Sequence, residues 1–198
     1  MAATLDDITW PVRTERLALR PATPQDLEPT WEFRRLPAVT YWMTAAHDTI
    51  DQYRGQFDDP ERLATTLVVE RDGRVIGDLM LRIEDAWSQR EVAEKAKCAQ
   101  AELGWCLHPE RGGQGYATEA VRELLRLCFE DLGLHRVIAS CFAANEPSWR
   151  LMERLGMRCE GRFVRETLHR NEGWVDALSY AVLADEWRDG QGRDGQGR

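Results

Sequence analysis

The sequence predicts a mixed α/β chain, a single α+β or α/β domain over about residues 10–187. Three observations lead there. Short runs rich in β-branched and apolar residues recur along the chain. Stretches with apolar residues three and four apart lie between them. Near the middle, a strand-like run, a glycine-rich turn and an amphipathic stretch follow one another directly, at AELGWCLHPE, RGGQGYA and TEAVRELLRLCFEDL. A length of 198 residues suits one hydrophobic core.

The elements follow in order. Residues 16–20 (RLALR) alternate apolar and polar side chains, the pattern of a half-buried strand. Thr23 and Pro24 then read as a helix start, with Asp26 placed to favour the dipole, and the helix should run to about Arg35. A second short helix is expected over 50–57. Residues 64–70 and 75–82 read as strands, and Asp72-Gly73 between them is a hairpin signal. Residues 85–100, charged and alanine-rich, read as an excursion between strands with a helical turn in it. Residues 101–107 form the next strand. After the glycines at 112–117, residues 118–132 carry a helical apolar face of Ala120, Val121, Leu124, Leu125, Cys128 and Phe129, closed by Gly133 as C-cap. Residues 136–142 (RVIASCF) read as a buried strand and 147–155 as a helix ending at Gly156. Two further strands are expected over 161–166 and 174–183. The tail, 188–198, is RDGQGRDGQGR; it has no apolar residue to bury and is expected to be disordered.

Composition narrows the function. The net charge is −8, which argues against nucleic acid as the main partner, because a phosphate backbone calls for basic patches. That charge suits a cationic substrate such as an amine, and it equally suits plain solubility. Five cysteines, Cys98, Cys106, Cys128, Cys141 and Cys159, form no CxxC pair, and no cysteine–histidine cluster has metal-ligand spacing, so no metal is expected. Reduced structural thiols are the simplest account. The N-terminus lacks the pattern of a signal peptide, and no apolar stretch approaches the roughly 20 residues of a bilayer span. A cytoplasmic protein without a membrane partner is expected.

The strand–turn–helix succession is where chemistry is written. At such a turn several backbone N–H groups point outward unpaired, and the helix dipole adds partial positive charge. Together they can hold a phosphate or pyrophosphate. Gly113 and Gly115 let the backbone approach an anion without a Cβ in the way, and Ala117 keeps the next turn small. No Gly-Lys-Ser/Thr follows, so the turn is not a Walker A loop, and the spacing does not fit the dinucleotide fingerprint. A glycine-rich connection that binds nothing stays open on these residues alone.

The stretch resembles the coenzyme A loop of the GNAT N-acetyltransferases, Q/R-x-x-G-x-G/A, with Gly112-Gly113-Gln114-Gly115-Tyr116-Ala117 in those places. The first position departs, holding Gly112 with Arg111 just before it. The resemblance continues through Thr14-Glu15-Arg16-Leu17-x-Leu19-Arg20-Pro21, through Asn145-x-x-Ser148-x-x-Leu151-Met152-x-x-Leu155-Gly156-Met157, and through Glu160-Gly161, Arg165-Glu166, Asp176 and Tyr180. These resemble the branch that includes the ribosomal-protein N-terminal acetyltransferases and cover about residues 13–187.

The resemblance implies a central, mostly antiparallel sheet flanked by helices and splayed at the acyl-CoA site. It implies acetyl-CoA as co-substrate and an amine acceptor, either a protein N-terminus or a small molecule, attacking directly in a ternary complex. By the same resemblance, the backbone of Cys106 and Leu107 should pair with the pantetheine amides. The N–H groups of Gly113, Gln114, Gly115, Tyr116, Ala117 and Thr118 should hold the pyrophosphate, and the Asn145 amide should hydrogen-bond the pantetheine arm. Ser148 stands where many relatives place a tyrosine acid, and its hydroxyl, a poor acid, is expected to hydrogen-bond the leaving sulfur. Glu166 or Glu102 could serve as general base; both stay open, as does an ion-pair role for each. Trp31, Arg34, Trp42 and Met43 belong to the region that lines the acceptor side in relatives. A covalent Cys106 mechanism is disfavoured. A non-catalytic acyl-CoA-binding module, another donor such as succinyl-CoA, and a homodimer also remain open.

Overall fold

The computed structural model describes residues 5–194. The strands are β1 (Val12–Arg13), β2 (Ala18–Pro21), β3 (Thr66–Arg71), β4 (Arg74–Glu84), β5 (Gln100–Leu107), β6 (Arg136–Phe142), β7 (Arg158–His169) and β8 (Gly173–Leu183). The α-helices are α1 (Leu27–Arg34), α2 (Pro37–Thr40), α3 (Ile50–Phe57), α4 (Pro60–Thr65), α5 (Ala93–Ala96), α6 (Tyr116–Arg126), α7 (Glu146–Arg154) and α8 (Ala184–Asp194). The strands hydrogen-bond in the order β1-β2-β3-β4-β5-β6-β8-β7. β1–β2, β2–β3, β3–β4, β6–β8 and β7–β8 run antiparallel, whereas β5–β6 is parallel. The sheet is thus mixed and mostly antiparallel, with helices flanking it, as expected. No helix among the described residues is long and apolar enough to cross a membrane.

The chain forms two compact units, one from residues 6–82 with 104–123, the other from 83–103 with 124 onward. Both β5 and α6 pass from one unit into the other.

In the first unit, β2, β3 and β4 bury Leu19, Leu67, Val68, Val69 and Leu79. The hairpin between β3 and β4 turns on Asp72-Gly73, both at positive φ (52° and 73°), with Arg71 opposite Arg74. One cluster on this sheet joins Ala22, Leu27, Tyr53, Phe57 and Val68, and another joins Phe33, Val39 and Cys106. The start of the first helix differs in detail from the expectation. Pro24–Asp26 form a 3₁₀ turn before α1 with Thr23 as its N-cap, as expected, and Asp26 closes a capping box with the Thr23 hydroxyl. It donates to the Asp26 carboxylate, which also accepts the Thr23 backbone N–H (2.9 and 2.8 Å). Asp26 is buried and ion-paired with Arg20 at 2.7 Å, which explains why a carboxylate tolerates that position.

The strand expected from residue 64 begins at Thr66. Asp59 caps α4 by accepting the Arg62 N–H at 3.0 Å, and Pro60 opens the helix, so residues 64 and 65 are helical.

In the second unit the excursion after β4 closes on itself: Ala86 N–H donates to Ala96 O (2.8 Å) and Cys98 N–H to the Asp85 carboxylate (2.8 Å). α5 and a preceding 3₁₀ turn, Arg90–Val92, supply the expected helical turn. Past α6 the helix continues as a π-helical segment, Leu127–Asp131, with Leu127 and Cys128 buried. β6, β8 and β7 form a three-strand antiparallel part of the sheet, with Val137, Ala139, Tyr180, Ala181 and Val182 buried against Leu151 and Met152 of α7. α8 makes the stretch after residue 187 helical as far as Asp194, where disorder was expected. A helical phase lets Trp187 bury itself (5% exposed), with its indole N–H reaching Glu130 at 3.3 Å, and the helix extends from that anchor. The rest of the tail, 195–198, lies outside the described residues.

Candidate active site

The glycine turn belongs to the first unit. β5 ends at Leu107, and His108 N–H donates to Ile76 O on β4 (2.8 Å). Pro109–Arg111 make a 3₁₀ turn, closed by Arg111 N–H donating to His108 O (2.8 Å) and Gly112 N–H to Pro109 O (2.9 Å). Gly113 and Gly115 then take φ of +71° and +80°, in the left-handed region that costs other residues about 1–2 kcal/mol. Two successive reversals swing the chain into α6 and leave the amides from Gly113 to Thr118 at the positive end of its dipole. The first amides of a helix have no carbonyl one turn back to bond. Gly112 is different. Its φ is −65°, an ordinary value, but a Cβ there would lie 3.0 Å from Pro109 O, so glycine serves close approach at this position rather than a left-handed φ.

A set of side chains that the sequence reading overlooked braces this turn. Glu119, in the first turn of α6, accepts the Thr14 hydroxyl (2.5 Å), the Arg16 backbone N–H (2.8 Å) and Arg16 Nε (2.6 Å). Burial opposes ionisation of this carboxyl, but those three donors outweigh it and hold it below the usual carboxylate range. Arg16 also donates to Gln114 O (3.0 Å), and its guanidinium lies 4.6 Å from the centre of the buried Tyr116 ring. Arg71 lies 4.7 Å from the same ring. Arg16, just before β2, therefore fastens the loop backbone, and it and Arg71 of β3 bring positive charge to the Tyr116 ring beside the turn.

On β5, Gly77 of β4 comes so close that a Cβ there would lie 2.6 Å from Cys106 O and 3.1 Å from Leu107 Cα. With His108 also bonded to β4, the backbone groups of Cys106 and His108 address that strand. Alternation in an extended chain directs those of Leu107 to the other side. The Cys106 side chain packs with Phe33 and Val39, and burial pushes its thiol up to about 12. Pairing of β5 with β6 covers Gln100–Glu102 against Arg136–Ile138, although both strands run on.

In the second unit Asn145 stands at the N-cap of α7, half-buried, with its backbone carbonyl accepting from Ser148 (3.1 Å) and Trp149 (3.3 Å). Its side chain makes no cap hydrogen bond, so the amide is not spent on the helix end. Ser148 is half-buried in the first turn, within hydrogen-bonding reach of the Cys141 thiol. Burial pushes that thiol up to about 11, and the serine contact acts in the opposite direction. Glu102 is half-buried on β5 opposite Ile138. Glu166 is exposed, in an irregular stretch of β7 between Phe163 and Thr167 where Arg165 takes φ +50°. Asp176 holds that irregularity by accepting Arg165 N–H (3.0 Å) and Arg162 Nε (2.8 Å). The Glu166 carboxylate contacts its neighbour Thr167 at 3.5 Å.

A polar network lies behind Cys106, again within the first unit. Arg34 of α1 grips Asp78 of β4 with two hydrogen bonds, from Nε at 2.7 Å and from Nη2, and both side chains are nearly buried. Tyr53 is 2% exposed, donates to the Thr30 hydroxyl (3.0 Å), and is pushed up to about 12 by burial. Trp31 stacks on Tyr53 (5.3 Å) and His47 meets it edge-on (5.6 Å). Trp31, Arg35, His47, Asp48, Thr49 and Ile50 line an open cleft of about 440 Å³.

Residues 16–158 match the family described as Acetyltransferase (GNAT) domain. The chain belongs to the GNAT acetyltransferase family. An uncharacterized N-acetyltransferase, YnaD, of Bacillus subtilis (strain 168) is 41% identical over 43% of this chain and 50% of its own length. A putative ribosomal N-acetyltransferase, YdaF, of the same strain is 30% identical over 70% of this chain and 68% of its own. The crystal structure of a GNAT-family acetyltransferase from Bacillus anthracis superposes with a TM-score of 0.74 at 28% identity, covering 88% of this chain and 98% of that one. The resemblance read from the motifs therefore holds at family level. A GNAT N-acetyltransferase uses acetyl-CoA.

For this acetyltransferase, the sequence reading found the turn but missed what holds it. Arg16 and Glu119 were both inside quoted motifs, and Glu119 three residues into an α-helix is a readable anion-end signal. That the two meet across 103 positions of chain is not readable. His47 and Arg62 carried no local signal at all.

Proposed function

We propose that this GNAT protein transfers the acetyl group of acetyl-CoA to a primary amine, of a protein N-terminus or a small molecule, by direct attack in a ternary complex. The observation that carries the reading is the turn at Gly113–Thr118: two left-handed glycines and the open start of α6, braced by Arg16 and Glu119. Those amides would hold the pyrophosphate. Leu107, whose backbone faces away from β4, would pair with the pantetheine amides and polarise the thioester carbonyl; the alternation favours it over Cys106. Asn145, with its amide free of the helix cap, would bond the pantetheine arm, and Ser148 the leaving sulfur.

Direct attack is favoured over an acyl-cysteine because Cys106 is buried and its thiol is pushed up to about 12, leaving almost no thiolate near neutral pH. The base would be Glu102 or Glu166, accepting the ammonium proton directly or through water. The irregular, exposed setting of Glu166 gives it access to solvent but no fixed partner beyond Thr167.

Thiol release from acetyl-CoA by the purified protein, screened over protein N-terminal peptides, polyamines, amino sugars and amino acids, tests the reaction. Initial-rate lines that intersect as both substrates vary are expected, and parallel lines would refute direct attack. Glu166→Gln and Glu102→Gln should each be compared with wild type across pH. A basic limb unchanged in both would remove these residues from the mechanism.

A further inference from the structure

An antiparallel strand ordinarily buries one of its two faces. β7 does not: of its twelve residues only His169 is buried. β7 is also the last strand of the sheet, so one of its edges has no neighbouring strand among the described residues. Six large apolar side chains lie exposed among the described residues, and four of them, Phe163, Val164, Leu168 and Trp174, belong to this hairpin of β7 and β8. Val164 is 74% exposed. Single exposed apolar residues are ordinary, but a group of them on an uncovered edge strand marks a surface that binds something.

The patch has a fixed shape. Between the pairs Phe163–Ala177 and Thr167–Val175, β7 carries three residues against the single Asp176 of β8. The Asp176 carboxylate pins this bulge by accepting Arg165 N–H at 3.0 Å and Arg162 Nε at 2.8 Å. Such a bulge keeps another strand from extending the ladder, so a partner meets side chains and not a free backbone edge. Arg165 and Trp174 also line an open groove of about 590 Å³.

The charges say which partner fits. The chain carries a net charge of −8, yet between residues 158 and 176 four arginines match four carboxylates, so this face is neutral and lacks the repulsion that the rest of the surface sets up between copies. At its centre Arg165 and Glu166 are adjacent, exposed and opposite in sign, and neither side chain forms an ion pair among the described residues. A twofold axis reverses the chain direction and so sets Arg165 of each copy against Glu166 of the other. Phe163 stands two residues before that pair and Leu168 two residues after it, so the same axis brings apolar onto apolar. A partner charged with one sign only would leave half of these groups unmatched.

We propose that this face joins two copies of the chain in a closed twofold dimer, centred on Arg165 and Glu166, with Phe163, Val164, Leu168 and Trp174 as its apolar part. Aromatic side chains and arginine are the groups enriched at such interfaces. A twofold pair covers the exposed edge of both copies and grows no further. Held by arginine, Glu166 is the less available of the two candidate bases.

Sedimentation velocity of the full chain over the micromolar range tests this, with no ligand added. The expected mass is twice the 22.8 kDa of one chain. Val164→Asp and Leu168→Asp lie at exposed positions and should each raise the dimer Kd at least about tenfold, with the far-ultraviolet circular dichroism unchanged. Arg165→Glu sets carboxylate against carboxylate across the axis and should weaken the pair as much; adding Glu166→Arg restores opposite charges and should bring the dimer back. A single 22.8 kDa species throughout overturns the proposal, as does a dimer untouched by Val164→Asp or a mass that climbs past two chains with concentration. A dimer that Arg165→Glu weakens and the double change fails to restore refutes the twofold pairing. Mass is the readout, so the outcome does not depend on acetyl transfer.

Discussion

The glycine turn and the side-chain network of Arg34, Asp78 and Arg62 place positive charge by opposite means. The turn uses backbone amides and a helix dipole, positioned by two glycines that take φ of +71° and +80°. Its supporting charges are matched: Arg16 has Glu119, and Glu119 has Thr14 and Arg16. The network uses side chains: Arg34 takes Asp78, while Arg62 Nε is buried without a hydrogen-bond partner. A backbone site is complete before its ligand arrives.

Four measurements press on that contrast. The largest effect is expected in the network. Asp78→Ala leaves the nearly buried Arg34 guanidinium without its carboxylate and should destabilise the protein by about 3–5 kcal/mol in denaturant unfolding. A loss below about 1 kcal/mol would mean the pair is solvated and the charge argument fails.

At the turn, Gly115→Asp combines a strained φ of +80° with a carboxylate among the amides, and coenzyme A affinity by calorimetry should fall roughly a hundredfold. An unchanged Kd would refute the turn as the pyrophosphate site. Glu119→Gln keeps the shape but removes the charge that Arg16 and Thr14 hold; about 1 kcal/mol of stability should go, with a smaller loss of coenzyme A affinity. If affinity drops as far as in Gly115→Asp, the support is doing more than bracing.

The smallest effect lies at the exposed network of Arg136, Glu160, Arg158 and Glu186, remote from both arguments in chemistry. Hydrogen bonds from Arg136, then from Arg158, lower the Glu160 pKa from 4.5 to about 2. A depressed folded-state pKa stabilises the fold above the unfolded value and loses that contribution as pH falls through the folded one. The difference in urea midpoint between wild type and Glu160→Gln should therefore be steady above about pH 4.5 and shrink between there and pH 2. A difference that grows on acidification would reverse the assignment.

Much of the chain could be read without coordinates, and the reasons are local. Asp72-Gly73 announces its hairpin because few residue pairs accept positive φ twice. Ala120, Val121, Leu124, Leu125 and Cys128 announce a helix by their spacing, and all five are buried. Gly113, Gly115 and the helix after them announce a left-handed turn into a helix because the physics sits in the backbone within a few residues. Local signals also misled. The apolar content of residues 64–70 hid a helix start that Asp59-Pro60 had marked, and the polar tail hid the continuation of α8 past Trp187.

By itself the sequence determined the mixed α/β class, the order of its main elements, the glycine turn and the family to which the chain belongs. Those depend on periodicity, on φ preferences and on motifs in fixed order, all of which act over short stretches. Only the tertiary structure decided that Arg16 serves Glu119, that Leu107 rather than Cys106 faces away from β4, and that Arg34 claims Asp78 and leaves Arg62 alone. Whether a charge is satisfied depends on which groups share its few ångströms of low-dielectric space, and residues 34, 62 and 78 come together only when the chain has folded.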